Sequence, residues 1–244
     1  MSIKSTVENV LKFCPPLFRL GSKVYHKFNG SFRTLSEGTP EAIKAAFEIS
    51  LKDNDGSNSS NIGDYYEFGL FRGYAFLQAY NYSNELNIDN IHFYGFDSFE
   101  GLPEATGIDE ADGRFFQGQF SCSKENVEKN LKLNGMDMSK TTLVEGFYSD
   151  SLTEQLREEH EFNKASVILM DCDLYSSTIE ALTWVTPYIQ NNTIILFDDW
   201  FSYGESDELG QQKAMQDFLE ANPNFKSTEL WNFSKNGKAF KLTV

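Results

Sequence analysis

Short apolar runs alternate with helical patterns over most of the chain. Five strand-like runs stand at residues 65–68, 92–96, 141–145, 166–170 and 193–197. Apolar residues at helical spacing between them predict helices at 72–86, 123–133, 177–188 and 210–221. Strands and helices in alternation are typical of an α/β fold with a mainly parallel sheet covered on both faces.

Two further patterns extend this core. Residues 227–233 and 238–244 flank Lys235-Asn236-Gly237, and the Asn-Gly pair predicts a C-terminal hairpin that adds an antiparallel edge. On the other side, Thr39 as N-cap and Pro40 at the first helical position predict the start of a helix. That helix ends at a polar stretch over 53–61, which we interpret as a surface loop.

The first 35 residues differ from the rest. Val7, Val10 and Leu11 predict a short amphipathic helix that ends at Pro15-Pro16, followed by an irregular aromatic segment. We therefore divide the chain into an N-terminal appendage over 1–35 and one domain over 36–244. Packing on the domain or on a second subunit is a better interpretation of the appendage than substrate capping.

Composition narrows the classes of function. The chain has 36 acidic and 21 basic residues and a formal charge of −15, so we expect no nucleic-acid partner. Three scattered cysteines fit reduced thiols in the cytoplasm better than disulfides. We find no apolar run of membrane-spanning length and no evident signal peptide, so we expect a cytoplasmic protein without a membrane partner.

In parallel sheets, ligands bind at the carboxyl ends of the strands, and the sequence is informative there. Gly69 and Gly73 follow the first strand, where a bare backbone lets a ligand approach a helix N-terminus, although a packing turn is about equally plausible. Glu67 could bind an ammonium group or be an exposed charge. Asp97 ends the second strand and is placed to accept hydrogen bonds from ribose hydroxyls, or to start an Asp-Ser turn. Aromatic residues near the third strand end could stack on a purine or belong to the core.

The sharpest constellation follows the fourth and fifth strands. Asp171, Asp198 and Asp199 would lie within a few ångströms of one another, and three like charges in a crevice repel unless a cation neutralises them. Oxygen ligands suit Mg²⁺, Ca²⁺ or Mn²⁺ rather than Zn²⁺, and all three histidines lie outside these loops. The competing interpretation is helix capping, with Asp173 or Ser176 as the cap of the following helix.

Four sequence strings at these strand ends resemble the macrocin O-methyltransferase (TylF/MycF) family. They are Glu67-Phe68-Gly69 with Arg72-Gly73, Gly-Phe-Asp-Ser-Phe-Glu-Gly-Leu-Pro over 95–103, Asp-Cys-Asp-Leu-Tyr-Ser-Ser-Thr over 171–178, and Asp198-Asp199-Trp200. The resemblance covers roughly residues 35–240. It implies a Rossmann-like class I methyltransferase with a seven-stranded sheet, S-adenosylmethionine, a magnesium ion, and a vicinal hydroxyl pair on the acceptor as metal ligands.

The resemblance also assigns roles to residues. It predicts the metal ligands Asp171, Asp198 and Asp199, and cofactor contacts at Glu67, Gly69, Arg72, Gly73, Asp97, Ser98, Gly146, Phe147 and Asp171. Asp171 is the first candidate for the general base, followed by Asp173 and Tyr175. The acid-rich loop over 98–118 lies where a lid would sit. The acceptor is expected to be a small glycosylated or diol-containing molecule, and a homo-oligomer is plausible.

The chemistry is consistent with these roles. A sugar hydroxyl is a poor nucleophile, and coordination to a divalent ion can lower its pKa by several units. Methyl transfer from a sulfonium is an in-line displacement, so alignment of donor and acceptor could supply much of the rate. Two alternatives remain: an aspartate-rich phosphohydrolase, which would need basic residues at the site, and a binding protein that keeps the cofactor pocket but has lost the chemistry.

Overall fold

A computed structural model describes residues 37–54, 62–111, 113–204 and 206–244. The predicted appendage over 1–35 and most of the polar loop over 53–61 lie outside these residues. The described strands are β1 Asp64–Phe68, β2 Phe93–Asp97, β3 Thr141–Glu145, β4 Ala165–Met170, β5 Thr193–Phe197, β6 Lys226–Phe233 and β7 Gly237–Thr243. The described α-helices are α1 Thr39–Asp53, α2 Tyr74–Glu85, α3 Lys124–Leu133, α4 Tyr148–Ser151, α5 Glu154–Glu159, α6 Tyr175–Val185 and α7 Gly210–Ala221.

The seven strands form one sheet in the order β3-β2-β1-β4-β5-β7-β6. Strands β1 to β5 pair in parallel, and β7 is antiparallel to both β5 and β6. The predicted parallel sheet with a C-terminal antiparallel hairpin is therefore confirmed. Strand order reverses between β1 and β4, so the two halves of the sheet diverge there and leave a crevice at their carboxyl ends.

Both faces of the sheet are covered, as the apolar runs predict. All five residues of β1 are buried, and its side chains contribute to two hydrophobic cores, one on each face of the sheet. Tyr65 packs with α1 and α2 on one face, whereas Tyr66 and Phe68 pack with α6 on the other. None of the described helices is long and apolar enough to cross a membrane.

Some local details differ from the sequence-based expectations. Gly38, in the left-handed region, is the N-cap of α1, and Thr39 is the first residue of that helix rather than its cap. The hairpin turn lies one position earlier than the Asn-Gly pair suggests, because Phe233 already pairs with Gly237. In that turn the Ser234 hydroxyl accepts the backbone N–H of Gly237 at 3.1 Å.

Candidate functional site

The carboxyl ends of β1 and β4 approach each other closely at Gly69. Its φ is +94°, and a Cβ on this residue would lie 1.8 Å from the backbone oxygen of Asp171. Only glycine fits such an approach. The first turn is thereby drawn against the strand end that carries the Asp171 side chain.

Asp97, at the end of β2, fixes the other side of this turn. Its Oδ2 accepts the backbone N–H groups of Leu70 at 2.6 Å and Phe71 at 3.1 Å, and its Oδ1 accepts that of Phe99 at 2.6 Å. Burial raises the pKa of Asp97, and these three donors oppose the rise. Asp97 thus ties together two of the strand-end loops, in addition to facing the crevice.

The crevice holds a cavity of about 380 Å³ that opens to solvent. Most of the predicted site residues line it, namely Gly69, Arg72, Asp97, Ser98, Gly146, Phe147, Asp171, Asp173, Asp198 and Asp199. Part of the acid-rich segment also lines it, from Gly101 to Glu104 and at Thr106. The cavity therefore joins the predicted cofactor turn, the carboxylates and the proposed lid in one space.

Three predicted residues lie away from the cavity lining. Glu67 is buried within β1, where its Oε2 accepts the Tyr65 hydroxyl at 2.6 Å. Gly73 is the left-handed N-cap of α2 and faces Val127 and Leu131 of α3. The structure brings neither of these two side-chain positions to the cavity wall, so their cofactor contacts remain predictions.

Tyr175, the third of these residues, points toward α7. Its hydroxyl donates to Asp217 Oδ2 at 2.9 Å. The structure therefore brings Asp171 and Asp173 to the cavity, but not Tyr175.

Asp171, Asp198 and Asp199 converge as their spacing predicts. One carboxylate oxygen from each lies within 4.8 Å of the others. The Thr39 hydroxyl donates to Asp198 Oδ1 at 2.5 Å, and the Ser202 hydroxyl donates to Asp199 Oδ1 at 2.8 Å. Asp199 Oδ2 is buried and has no hydrogen-bond partner among the described residues.

The protonation behaviour of these carboxyls reflects their crowding. Burial, followed by repulsion from Asp198 and Asp199, raises the pKa of Asp171 well above its usual range. Burial and Asp198 raise the pKa of Asp199 to about 7, against the opposing effects of the Ser202 hydroxyl, the Asp173 backbone N–H and the Arg114 guanidinium. A bound cation would reduce the repulsion among the carboxylates and would give the unpaired Asp199 oxygen a partner. The donor set, which consists of carboxylate oxygens, fits a hard divalent ion.

Asp173 lies beside this cluster in a strained conformation. Its φ is +59°, in the left-handed region that aspartate enters more often than most residues but still at a cost, and it is 9% exposed. Burial, Asp199 and Asp198 raise its pKa, and the Arg114 guanidinium opposes the rise. This left-handed conformation turns the chain sharply between β4 and α6, and the Asp173 side chain lies on the cavity wall.

Besides Ser202, sequence reasoning missed Gln211 and Thr39, which also hold the cluster. Gln211, fully buried in α7, accepts the backbone N–H of Asp199 at 2.9 Å and donates to the Met170 carbonyl at 3.1 Å. Thr39 reaches Asp198 from 159 positions away in sequence. Neither has a local sequence signal, because a buried glutamine and a helix-initiating threonine are ordinary residues in their own segments.

The family model for macrocin-O-methyltransferase (TylF) matches residues 56–225, which include every carboxylate of the cluster. The chain belongs to the macrocin-O-methyltransferase family. The family membership that the four strand-end strings predict is therefore confirmed.

Two relatives in this family are similar over 145 residues each. One is the mycinamicin III 3''-O-methyltransferase of Micromonospora griseorubida, at 24% identity. The other is the 8-demethyl-8-(2,3-dimethoxy-alpha-L-rhamnosyl)-tetracenomycin-C 4'-O-methyltransferase of Streptomyces olivaceus, at 26% identity. Each match covers 57% of this chain and 53–55% of the relative, so the chain spans about half the length of the curated relatives it matches.

Solved structures support the fold of this family member. The O-methyltransferase NovP superposes with a TM-score of 0.68 at 19% identity, over 84% of this chain and 79% of NovP. TomG of Streptomyces achromogenes, an O-methyltransferase solved with S-adenosylmethionine, superposes with a TM-score of 0.54 at 11% identity, over 99% and 98% of the two chains. The class I methyltransferase sheet is thus shared.

Proposed function

We propose that this family member is an S-adenosylmethionine-dependent O-methyltransferase that uses a hard divalent ion and acts on a sugar hydroxyl or vicinal diol of a natural product. The observation that carries the proposal is the convergence of Asp171, Asp198 and Asp199 on one cavity that is shared with the Gly69 turn. The names of the two curated relatives, both O-methyltransferases and one acting on a rhamnosyl compound, support the substrate class.

The methyl donor would lie along the carboxyl ends of β1 to β4. The close approach at Gly69 leaves backbone rather than side chains on that wall, and Asp97, Ser98, Gly146 and Phe147 line the adjoining part. When bound, the donor supplies a sulfonium methyl group for transfer to an acceptor oxygen. The chain's part is to hold donor and acceptor in line and to exclude water.

Magnesium is the ion we propose for the carboxylate cluster, with Asp171, Asp198 and Asp199 as its protein ligands. When bound, it supplies a lower pKa for a coordinated hydroxyl. The Thr39 and Ser202 hydroxyls hold two of the carboxylates by their Oδ1 atoms, and the unpaired Asp199 Oδ2 stays available.

The general base we propose is Asp173 or Asp171. Either carboxylate must be deprotonated to accept the hydroxyl proton. The Arg114 guanidinium favours the deprotonated form of Asp173, and a cation at the cluster would favour it in both. Tyr175 is a weaker candidate, because its hydroxyl is hydrogen-bonded to Asp217.

The composition of the cavity wall weighs against a phosphohydrolase. Among the described residues that line the cavity, Arg72 is the only basic one, whereas Asp97, Glu104, Asp171, Asp173, Glu180, Asp198 and Asp199 are acidic. A phosphate ester would meet a wall of like charge. Glu180 and Glu104 lie at exposed positions, so solvent would screen them more than the buried aspartates.

The experiment compares the wild type with Asp198→Asn. Binding of S-adenosylhomocysteine is measured by calorimetry, Mn²⁺ binding by electron paramagnetic resonance, and transfer by product release with a panel of glycosides and diols. We expect transfer by the wild type to stop in excess chelator, and Asp198→Asn to lose Mn²⁺ binding and transfer. Asp89→Asn, which removes an exposed charge before β2 at the other end of the sheet, is the matched control.

Each outcome has a definite meaning. Transfer that continues in excess chelator would refute the metal role. Binding of S-adenosylhomocysteine without transfer to any member of the panel, with or without metal, would favour the non-catalytic binding protein.

A further inference from the structure

The acid-rich segment over 98–118 is attached to α6, the helix that directly follows the Asp171-Cys172-Asp173 motif. Asp109 lies in a 3-10 turn, Gly107–Ala111, and is 3% exposed. Its Oδ1 accepts the backbone N–H of Tyr175 at 2.7 Å, and its Oδ2 accepts that of Ser176 at 3.1 Å. These are the first two residues of α6.

This contact replaces the cap that the sequence suggests. The N-cap position of α6 is Leu174, and no side-chain cap bond comes from the helix's own N-terminus. Interpreting Asp173 or Ser176 as the helix cap is therefore wrong: the cap comes from Asp109, 66 positions earlier. An ionised carboxylate that accepts two amide bonds at a helix N-terminus is a strong fixed contact.

The same segment is attached to the loop after β5. The Arg114 guanidinium donates to the backbone carbonyl of Ser202 and lies over the rings of Phe115 and Tyr203, at 5.8 and 5.9 Å. Ser202 in turn donates its hydroxyl to Asp199 Oδ1. The segment therefore contacts the start of the helix that follows Asp171 and Asp173, and the loop that carries Asp199.

We propose that Asp109 is a positioning residue for the carboxylate cluster, with Arg114 as the second attachment of the same segment. Asp109 fixes the start of α6, and so fixes the strained turn that carries Asp171 and Asp173. Arg114 fixes the loop that carries Asp199. This proposal rests on the proposed function for its ion, and it extends that function to residues outside the metal ligands.

A merely structural role for Asp109 would lower the stability of the fold and leave the ion affinity of the folded protein unchanged. A positioning role changes that affinity, because side chains that orient metal ligands typically contribute about 10- to 100-fold to metal binding. Asp109→Asn is an intermediate case, because asparagine keeps one acceptor oxygen for the α6 amides and replaces the other by an NH2 group, which cannot accept.

The experiment titrates Mn²⁺ into folded Asp109→Ala, Asp109→Asn and the wild type, with electron paramagnetic resonance as the readout. We expect Asp109→Ala to bind Mn²⁺ about 10-fold more weakly, and Asp109→Asn to fall between Asp109→Ala and the wild type. Glu110→Gln, which removes an exposed charge next to Asp109, is the matched control and is expected to bind like the wild type.

Amide hydrogen exchange on the metal-free proteins gives a second readout. We expect faster exchange over 171–174, outside the two amides that Asp109 accepts, in Asp109→Ala and over 199–204 in Arg114→Gln, with little change in Glu110→Gln. If Asp109→Ala does not fold, Asp109→Ser, which shortens the side chain but keeps a polar group, carries the same expectations.

One result would overturn the proposal: a Mn²⁺ affinity of folded Asp109→Ala within twofold of the wild type. If the wild type itself binds no Mn²⁺, the ion of the proposed function is refuted. Exchange then decides the positioning role alone: faster exchange over 171–174 in Asp109→Ala, outside the two amides that Asp109 itself accepts, supports it, and unchanged exchange there overturns it.

Discussion

Replacing Glu67 by glutamine is predicted to flatten the pH dependence of stability. Glu67 is 1% exposed within β1, and its Oε1 is buried without a hydrogen-bond partner among the described residues. Burial raises its pKa from 4.5 to about 8, repulsion from Asp97 and Asp198 adds to the rise, and the hydrogen bond from Tyr65 opposes it. At neutral pH the folded chain therefore holds a proton that the unfolded chain has released.

The sign follows from proton linkage. Between pH 4.5 and about 8 the folded state binds more protons at Glu67 than the unfolded state, so the free energy of unfolding falls as the pH rises. At about 1.4 kcal/mol per pH unit, the full difference between the two pKa values corresponds to up to about 5 kcal/mol. That loss is complete above pH 8 and absent below pH 4.5.

The assay is urea unfolding at several pH values from 5 to 9, in chelator, followed by tryptophan fluorescence. The buried aspartates titrate in both proteins, so the difference between the wild type and Glu67→Gln isolates Glu67. We expect the wild type to lose about 2 to 5 kcal/mol more than the variant over this range. Glu208→Gln, at an exposed position, is the control and should differ from the wild type by a constant.

A difference between the wild type and Glu67→Gln that stays constant with pH within about 0.5 kcal/mol would refute this reasoning, because a raised pKa necessarily produces a pH-dependent difference. A difference that grows in the opposite direction would show that Glu67 is ionised in the folded chain and paired with a donor.

Three further substitutions test other parts of the site. Gly69→Ala is expected to lower the free energy of unfolding in urea by about 3 kcal/mol or more, because its Cβ would collide with the Asp171 carbonyl at a left-handed φ. A loss under about 1 kcal/mol would contradict the close approach. Asp173→Gly is expected to leave the free energy of unfolding unchanged or to raise it by up to about 1 kcal/mol, because glycine relieves the strained φ of +59°. The same change is expected to lower methyl transfer, and unchanged transfer would exclude Asp173 as the base. Thr39→Val is expected to lower the free energy of unfolding by about 1–3 kcal/mol and to weaken Mn²⁺ binding, because the hydrogen bond to Asp198 is lost. If neither quantity changes, the hydroxyl does not hold that carboxylate.

Much of the fold could be predicted because its signals are local. Four of the five parallel strands are short runs that are almost wholly buried, so their positions are visible in the sequence, whereas β3 at the sheet edge is only partly buried. The convergence of Asp171, Asp198 and Asp199 follows from the same argument, since adjacent parallel strands end at one edge. Strand ends are therefore the positions where sequence and site are most directly connected.

The contacts that orient these carboxylates could not be predicted in the same way. Thr39, Asp109 and Gln211 reach the site from other segments, and their partners depend on how helices and loops pack on the sheet. A local rule even favoured a different contact, the capping of α6 by Asp173 or Ser176. Tertiary packing supplied Asp109 instead and left Asp173 facing the cavity.

The hydrogen bonds that each carboxylate accepts distinguish acidic residues that look alike in the sequence. Asp97 accepts three backbone amides and Asp109 accepts two, so both oxygens of each carboxylate have a partner within the protein. Asp199 keeps one buried oxygen without a partner, and an unpaired buried acceptor costs free energy unless a ligand satisfies it. The acids whose two oxygens both have partners shape the loops, whereas Asp199 belongs to the cluster whose crowding raises the pKa values of Asp171 and Asp199. By this criterion, the ion is expected at the ends of β4 and β5 rather than beside Asp97.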